Sequence, residues 1–217
     1  GLVFYLITIA VKSLAGYEYL PMIVLFSMSI FIADIFLPKP RFERLASVAM
    51  ILGLGIASLA GFFAALLIHG SIRADTIWEG VRQTLIIDGL KYNQLSEIAQ
   101  VASRGLEPST MEIVSTYVLQ WHTPVLFWWQ QPLGLAIPFA CSFLALIYQF
   151  ATSMDCRWRD AAILVSMTGA SLSWIVLMKG HSTIHTHLNY VLWYFGAVPA
   201  MGFVIWNAFR AATIRYL

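Results

Sequence analysis

Six long apolar stretches, separated by short charged or proline-containing breaks, constrain the fold of this 217-residue chain more than any other feature. A helix needs about 20 largely apolar residues to cross a bilayer, and only structures that satisfy their own backbone hydrogen bonds survive there. Charged residues make up 11% of the chain, against roughly a quarter in soluble domains. The sequence therefore predicts an all-α fold, a polytopic transmembrane helical bundle of about six spans. The predicted spans are residues 1–15, 19–37, 45–69, 133–152, 161–178 and 188–209.

The first residues and the overall charge narrow the class of protein further. Gly1 stands directly inside an apolar run, with neither Met nor a polar leader before it. We therefore expect residues 1–217 to be a single integral-membrane domain that lacks an N-terminal part. The net charge of +2 is small and spread over loops, which argues against a nucleic-acid partner. The two cysteines have neither disulfide-framework nor metal-site spacing.

Basic residues in two short breaks and after the last predicted span predict the orientation. By the positive-inside rule these breaks, together with the C-terminus, face the cytoplasm. Alternation then puts the long segment 70–132 and the turn 179–187 on the external face, which would be periplasmic in a bacterial inner membrane. The basic residues concerned are Lys39, Arg41, Arg44, Arg157, Arg159, Arg210 and Arg215.

Segment 70–132 carries the signals of short amphipathic helices. Thr76-x-x-Glu79 and Ser109-Thr110-Met111-Glu112 are capping boxes, each followed by apolar residues at helical spacing. Such helices either lie on the outer leaflet or cover a cavity between the spans, and the sequence favours a mixture of both. Arg73 and Arg82 are candidate bidentate partners for a phosphate, although each can equally face solvent or lipid headgroups.

The turn 179–187 is dense in histidine. It contains Lys179, His181, His185 and His187, between two long apolar stretches. Ionisable groups at the membrane edge usually mark a site. His181 and His185 share one face if helical and can bind a divalent metal, but no acid lies within the motif. The alternatives are recognition of a lipid-linked phosphate, and a structural role in which the histidines satisfy one another.

Residues 179–194 read KGHSTIHTHLNYVLWY. They resemble the last external turn and final span of integral-membrane sugar transferases of the GT-C type. Val81-Arg82-Gln83-Thr84, followed by helices and Trp121, is similar to the external loop of that class. The resemblance implies transfer of a sugar from a polyprenyl-phosphate donor to an acceptor on the non-cytoplasmic face.

The resemblance also implies roles for individual residues. The leaving phosphate would contact Lys179, His181 and His185, with Arg82 or Arg73 contributing from the external segment. His187 would join this group, while Trp121 or Tyr190 would stack on the sugar or the prenyl chain. The catalytic acid of that class is expected in an early external loop, and no residue here matches it.

Three other functions stay open. A proton-coupled transporter predicts charged residues in mid-span, and these spans are nearly free of them. A non-catalytic membrane subunit would use the histidine turn for docking. An O-antigen polymerase or ligase belongs to the same broad class of sugar transfer. Besides the lipid-linked donor, only membrane lipids are expected as partners, and no cofactor other than a divalent metal is considered.

Overall fold

The computed structural model describes residues 1–17, 19–88, 109–120, 135–177 and 192–216, and every regular element in these ranges is helical. The predicted all-α class is therefore confirmed for the described part of the chain. The regular elements include three short π-helical stretches, at Gln83–Asp88, Thr116–Gln120 and Trp193–Ala197. The α-helices are α1 (Leu2–Ala15), α2 (Leu20–Ile35), α3 (Arg41–Arg73), α4 (Ile77–Arg82), α5 (Thr110–Ser115), α6 (Ala136–Ala151), α7 (Arg157–Leu177) and α8 (Val198–Tyr216).

Three helical stretches are long and apolar enough to cross a membrane: Arg41–Arg73, Arg157–Leu177 and Trp193–Ile214. The predicted count of six spans is not supported by the described residues. Helices α1, α2 and α6 are apolar but have only 14, 16 and 16 residues, or about 21–24 Å at 1.5 Å per residue. The hydrocarbon core is about 30 Å thick. The structure is thus compatible with a helical membrane protein containing three full-length candidate spans.

Backbone geometry explains why helix α2 is shorter than its apolar stretch. Tyr19 has a left-handed backbone conformation (φ 61°), so the helix begins only at Leu20. The helix stops at Ile35, before the proline-containing loop. Phe36 and Leu37 therefore add hydropathy to the predicted span without adding helical length.

Glycine allows a close approach between helices α1 and α3. A Cβ added to Gly61 would lie 2.7 Å from the Leu6 carbonyl oxygen and 3.1 Å from the Ala10 nitrogen. Small residues at such positions let two backbones pack directly. By contrast, a Cβ added to Gly55 would make only ordinary contact with the Met28 side chain, at 3.5 Å.

The main hydrophobic core is built by α6, α7 and α8, with α2 packed alongside. Trp174 and Trp193 are its largest side chains, and both are fully buried. Gly196 faces the ring of Phe26 so closely that an added Cβ would be 2.1 Å from a ring carbon. Helix α2 therefore joins this core to the α1–α3 pair.

Side-chain contacts show which helix ends lie together. At one end, the Tyr17 hydroxyl and His69 Nδ1 are 2.8 Å apart, and Tyr19 stacks on Trp174 with ring centroids 5.1 Å apart. We call this the upper end, and it contains the last turns of α3 and α7. The opposite, lower end contains the last turns of α2 and α6 and the first turns of α3 and α7. Its polar residues include Asp34, Gln149, Asp155, Asp160 and Asn207.

Candidate functional site

Arg73 is the last residue of α3 and lies at the upper end. Its side chain is exposed, and its Nη1 donates a hydrogen bond to Thr84 Oγ1 at 3.3 Å. Thr84 is 4% exposed and donates in turn to the Gly80 carbonyl oxygen at 3.0 Å. The Arg73 guanidinium is therefore anchored to the π-helical stretch after α4, while part of its surface stays accessible.

Arg82 lies at the end of α4 and forms an ion pair with Glu79. Their charged atoms are 3.6 Å apart, and the two side chains are 60% and 46% exposed. An exposed pair of this kind contributes at most about 1 kcal/mol. Glu79 consequently does not prevent Arg82 from meeting an anionic ligand.

The turn between α3 and α4 joins the helix that ends at Arg73 to the helix that ends at Arg82. A Cβ added to Gly80 would lie 2.2 Å from the Gly70 carbonyl oxygen, so the two backbones touch. Thr76 caps α4, because its Oγ1 accepts the Glu79 N–H at 3.2 Å. The predicted helix start at Thr76 is confirmed.

His69 is a polar residue of the upper end that the sequence did not single out as a site residue. It is half-buried, packs edge-on against the Tyr17 ring and shares a hydrogen bond with its hydroxyl. Lys12, five residues before Tyr17 in the sequence, donates a hydrogen bond from its Nζ to the Gly16 carbonyl oxygen at 2.8 Å. The available signal was the spacing of His69 and Arg73, four residues apart on one helical face.

The remaining predicted site residues lie outside the described residues: Lys179, His181, His185, His187, Tyr190 and Trp121. The structure describes the residues on both sides of the 178–191 segment. Helix α7 ends at Leu177, and Ser171 Oγ donates to the Leu192 carbonyl oxygen at 2.7 Å. The chain therefore leaves and re-enters the described bundle at the upper end, where Arg73 also lies.

Helix α5 packs onto the bundle. Its predicted capping box is complete: the Ser109 N–H donates to Glu112 Oε2 at 2.5 Å, and the Glu112 N–H donates to Ser109 Oγ at 3.2 Å. Ile113 is 4% exposed and belongs to the main core. By contrast, Trp78 of α4 is 76% exposed. The described helices of the 70–132 segment thus include both a buried and an exposed apolar surface.

A buried polar network at the lower end was not predicted. Asp160 has no exposed surface, and its Oδ2 accepts from Gln149 Nε2 at 3.0 Å and from Asn207 Nδ2 at 2.9 Å. Its Oδ1 accepts from Arg159 Nε and Nη2 at 2.9 and 2.7 Å. The network joins α6, α7 and α8. The signal that could have revealed it is one polar residue at the same end of each of three apolar stretches.

Asp34 forms a second carboxylate cluster at the lower end. It makes an ion pair with Lys39 and accepts a hydrogen bond from Ser47 Oγ at 2.5 Å. Lys39 and Ser47 hold the pKa of this carboxyl below its usual value. Asp34 is thereby held in its charged form in the last turn of α2.

Neither a metal group nor a reactive thiol is evident in the described ranges. Within them, no group of three or more His, Cys, Asp and Glu side chains could hold a metal ion. The histidine turn, the predicted alternative metal site, lies outside them. Cys141 and Cys156 are both unbridged. Burial, and then the charge of Asp160, raise the pKa of the Cys156 thiol, which favours its inert protonated form.

Comparisons with protein-family models, with curated proteins and with solved structures give no match for this chain. No family is assigned, and the resemblance of residues 179–194 to membrane sugar transferases gains no support from them. The residues of the upper end and their geometry are the basis for the function proposed below.

Proposed function

We propose that this protein is an integral-membrane enzyme that binds a lipid-linked sugar phosphate at the upper end and transfers the sugar to an acceptor on the non-cytoplasmic face. One observation carries the proposal. The exposed Arg73 and Arg82 lie at the upper end of the bundle. Leu177 and Leu192, the described residues that flank the turn with Lys179 and the histidines, lie at the same end. Two distant parts of the chain that adjoin basic residues therefore lie at one end of the described bundle.

The chemistry of sugar transfer makes use of such groups. A phosphate that leaves the sugar carbon develops negative charge, which guanidinium, ammonium and imidazole donors stabilise. The Arg73 guanidinium is suited to bidentate contact with phosphate oxygens, and Thr84 already orients it. Lys179, His181 and His185 are proposed to complete the phosphate site. The base for the acceptor hydroxyl is proposed to lie in another segment.

Membrane position favours a lipid-linked ligand over a soluble one. The spans Arg41–Arg73 and Trp193–Ile214 are both apolar, and each has one end at the upper end of the bundle. A prenyl chain in the bilayer would bring its phosphate to the depth of these helix ends. Ile77 and Trp78, which are exposed there, are suited to contact lipid at the same depth.

The transporter alternative has less support. A proton or ion pathway requires ionisable groups in mid-span. In α7 the charged residues Arg157, Arg159 and Asp160 all lie in the first turn, and all four oxygen contacts of Asp160 are with neighbouring side chains of the bundle. Sugar transfer therefore remains our preferred function.

The experiment uses the full-length protein in native membranes and a radiolabelled polyprenyl-phosphate sugar as donor. We expect Arg73→Gln, Lys179→Ala and His185→Ala each to reduce transfer by about tenfold or more, the effect of one lost transition-state donor. Arg210→Gln, which removes an exposed charge at the lower end, is the matched control and is expected to be unaffected. Membrane content is measured in parallel for all four variants.

Two results would contradict the proposal. Full activity in all three upper-end variants would exclude a leaving-group role for these residues. Absence of transfer by the wild-type protein with every donor, together with unchanged retention of a polyprenyl phosphate by the variants in native mass spectrometry, would favour a non-catalytic membrane subunit.

A further inference from the structure

A cleft lies at the lower end of the bundle, opposite the end that carries the proposed phosphate site. It has a volume of about 270 Å³ and opens between the loop after α2 and the loop before α7. Small-molecule sites usually measure about 300–1,000 Å³, so the cleft is suited to a headgroup rather than to a large ligand. Its chemistry is set by Phe36, Arg44, Asp155 and Trp158.

The cleft offers one positive and one negative group, and neither is neutralised by the rest of the described chain. Arg44 and Asp155 are both exposed, and neither forms an ion pair or side-chain hydrogen bond with any described residue. Asp34 and Asp160 at this end differ in this respect, since Asp34 is paired with Lys39 and Asp160 with Arg159. A ligand that carries both charges would complement Arg44 and Asp155 together.

An aromatic wall stands beside these charges. Trp158 is 55% exposed, and its ring packs edge-on against Phe150 with centroids 4.9 Å apart, which holds the indole in place. Phe36, 47% exposed, provides apolar surface on the other side. An indole face attracts a cation, and tryptophan is typical of the headgroup level of a bilayer.

The position of the cleft matches that depth. It lies beside the first turns of α3 and α7, where charged residues give way to the apolar part of each candidate span. Headgroups of one leaflet are expected at this boundary. A phospholipid headgroup, with a phosphate for Arg44 and a cation for Asp155 and Trp158, would suit both the charges and the depth of the cleft.

We propose that this cleft binds the headgroup of phosphatidylethanolamine. The phosphate accepts hydrogen bonds from the Arg44 guanidinium, and the primary ammonium donates to the Asp155 carboxylate while lying against Trp158. A choline headgroup has no N–H to donate to Asp155. A glycerol headgroup has no cation, so its lipid would leave Asp155 unpaired beside a net negative charge.

The test uses the full chain, purified in detergent, delipidated, and offered equal amounts of phosphatidylethanolamine, phosphatidylcholine and phosphatidylglycerol. Native mass spectrometry measures which lipids stay bound. We expect phosphatidylethanolamine to be retained about fivefold more than phosphatidylcholine, because this ratio corresponds to the free energy of one exposed ion pair. Asp155→Asn should abolish this preference, and Arg44→Gln should lower retention of all three lipids. Glu43→Gln, a charge change on the same helix but outside the cleft, should leave both properties unchanged.

Other outcomes would overturn the proposal. Equal retention of phosphatidylethanolamine and phosphatidylcholine by the wild type would exclude recognition of the primary ammonium. Strongest retention of phosphatidylglycerol would indicate a merely basic surface. An undiminished preference in Asp155→Asn, whose side chain is almost isosteric, would show that the preference arises elsewhere on the protein.

Discussion

Asp160 keeps a charged carboxylate fully inside the bundle because donors from three helices surround it. Gln149 comes from α6, Arg159 from α7 and Asn207 from α8. A buried charge is tolerated when its hydrogen bonds are satisfied. If one partner is removed, the remaining buried groups lose their hydrogen bonds and their desolvation is no longer compensated. The side chain therefore connects the three helices that form the main core.

We expect Asp160→Ala to destabilise the protein by about 3 kcal/mol, since it leaves a guanidinium and two amides without their acceptor. Thermal unfolding in detergent, followed by circular dichroism, measures the effect. Asp155→Ala is the control: this acid is five residues away and exposed, so its removal should change stability by less than about 0.5 kcal/mol. Similar melting temperatures for the two variants would contradict a structural role of the network.

The Asp34 cluster predicts a dependence of stability on pH. Its carboxyl has a lowered pKa in the folded protein, so its contribution is complete above the unfolded pKa, about 3.9. The contribution is lost as the pH falls through the lower, folded value. We expect the melting temperatures of wild type and Asp34→Asn to differ at neutral pH and to converge in strong acid. A difference that persists unchanged in acid would argue against this cause.

Only one of the two carboxylate clusters could be predicted from the sequence. Asp34 and Lys39 are five residues apart on either side of a proline turn, so local reasoning predicts their pairing. The partners of Asp160 on other helices, Gln149 and Asn207, are 11 and 47 residues away. Their meeting depends on how three helices are rotated against one another, which no local pattern specifies.

At the scale of helices, the start signals were predicted more accurately than the lengths. Thr76 and Ser109 cap α4 and α5 as expected, because a cap depends on four consecutive residues. Six spans were predicted, and the described residues contain three full-length candidates, in part because hydropathy also counts apolar residues in turns. Phe36 and Leu37 belong to such a turn.

Close packing of α1 on α3 predicts a strong effect at Gly61. Since an added Cβ would meet the Leu6 carbonyl at 2.7 Å, Gly61→Ala should separate the helices and destabilise the protein by about 1–3 kcal/mol. Gly169→Ala in α7 is the matched control, because nothing lies within 4 Å of its added Cβ. There alanine should be neutral or stabilise by up to about 1 kcal/mol. Thermal unfolding in detergent distinguishes the two, and equal effects would show that the helices are not in contact.

At the scale of the whole molecule, the two ends of the bundle differ in chemistry. The upper end combines Arg73 and Arg82 with the Tyr17–His69 pair, whereas the lower end carries the carboxylate clusters. The sequence predicted that segment 70–132 and turn 179–187 share a face, and the described residues that adjoin them do lie at one end. The geometry of the histidines themselves is a prediction that the described residues do not test.

The predicted orientation gives a test of the whole arrangement. In a background with Cys141 and Cys156 replaced by serine, single cysteines are placed at Glu79 of the upper end and Asp155 of the lower end. A membrane-impermeant maleimide applied to sealed cells should label the first and spare the second until the membrane is opened. Labelling of both, or of neither, in sealed cells would contradict opposite exposure of the two ends.

Helix α3 is 33 residues long, about 50 Å at 1.5 Å per residue, and runs from the lower end to the upper end without interruption. Each helical residue turns the chain by about 100°. One residue inserted in its apolar middle would lift Arg73 by only about 1.5 Å, yet it would rotate this side chain by that full angle relative to Ser47. Seven inserted residues would bring the direction back to within about 20°. The helix therefore sets the rotational phase between the two ends, so that Arg73 faces Thr84 only while Ser47 faces Asp34.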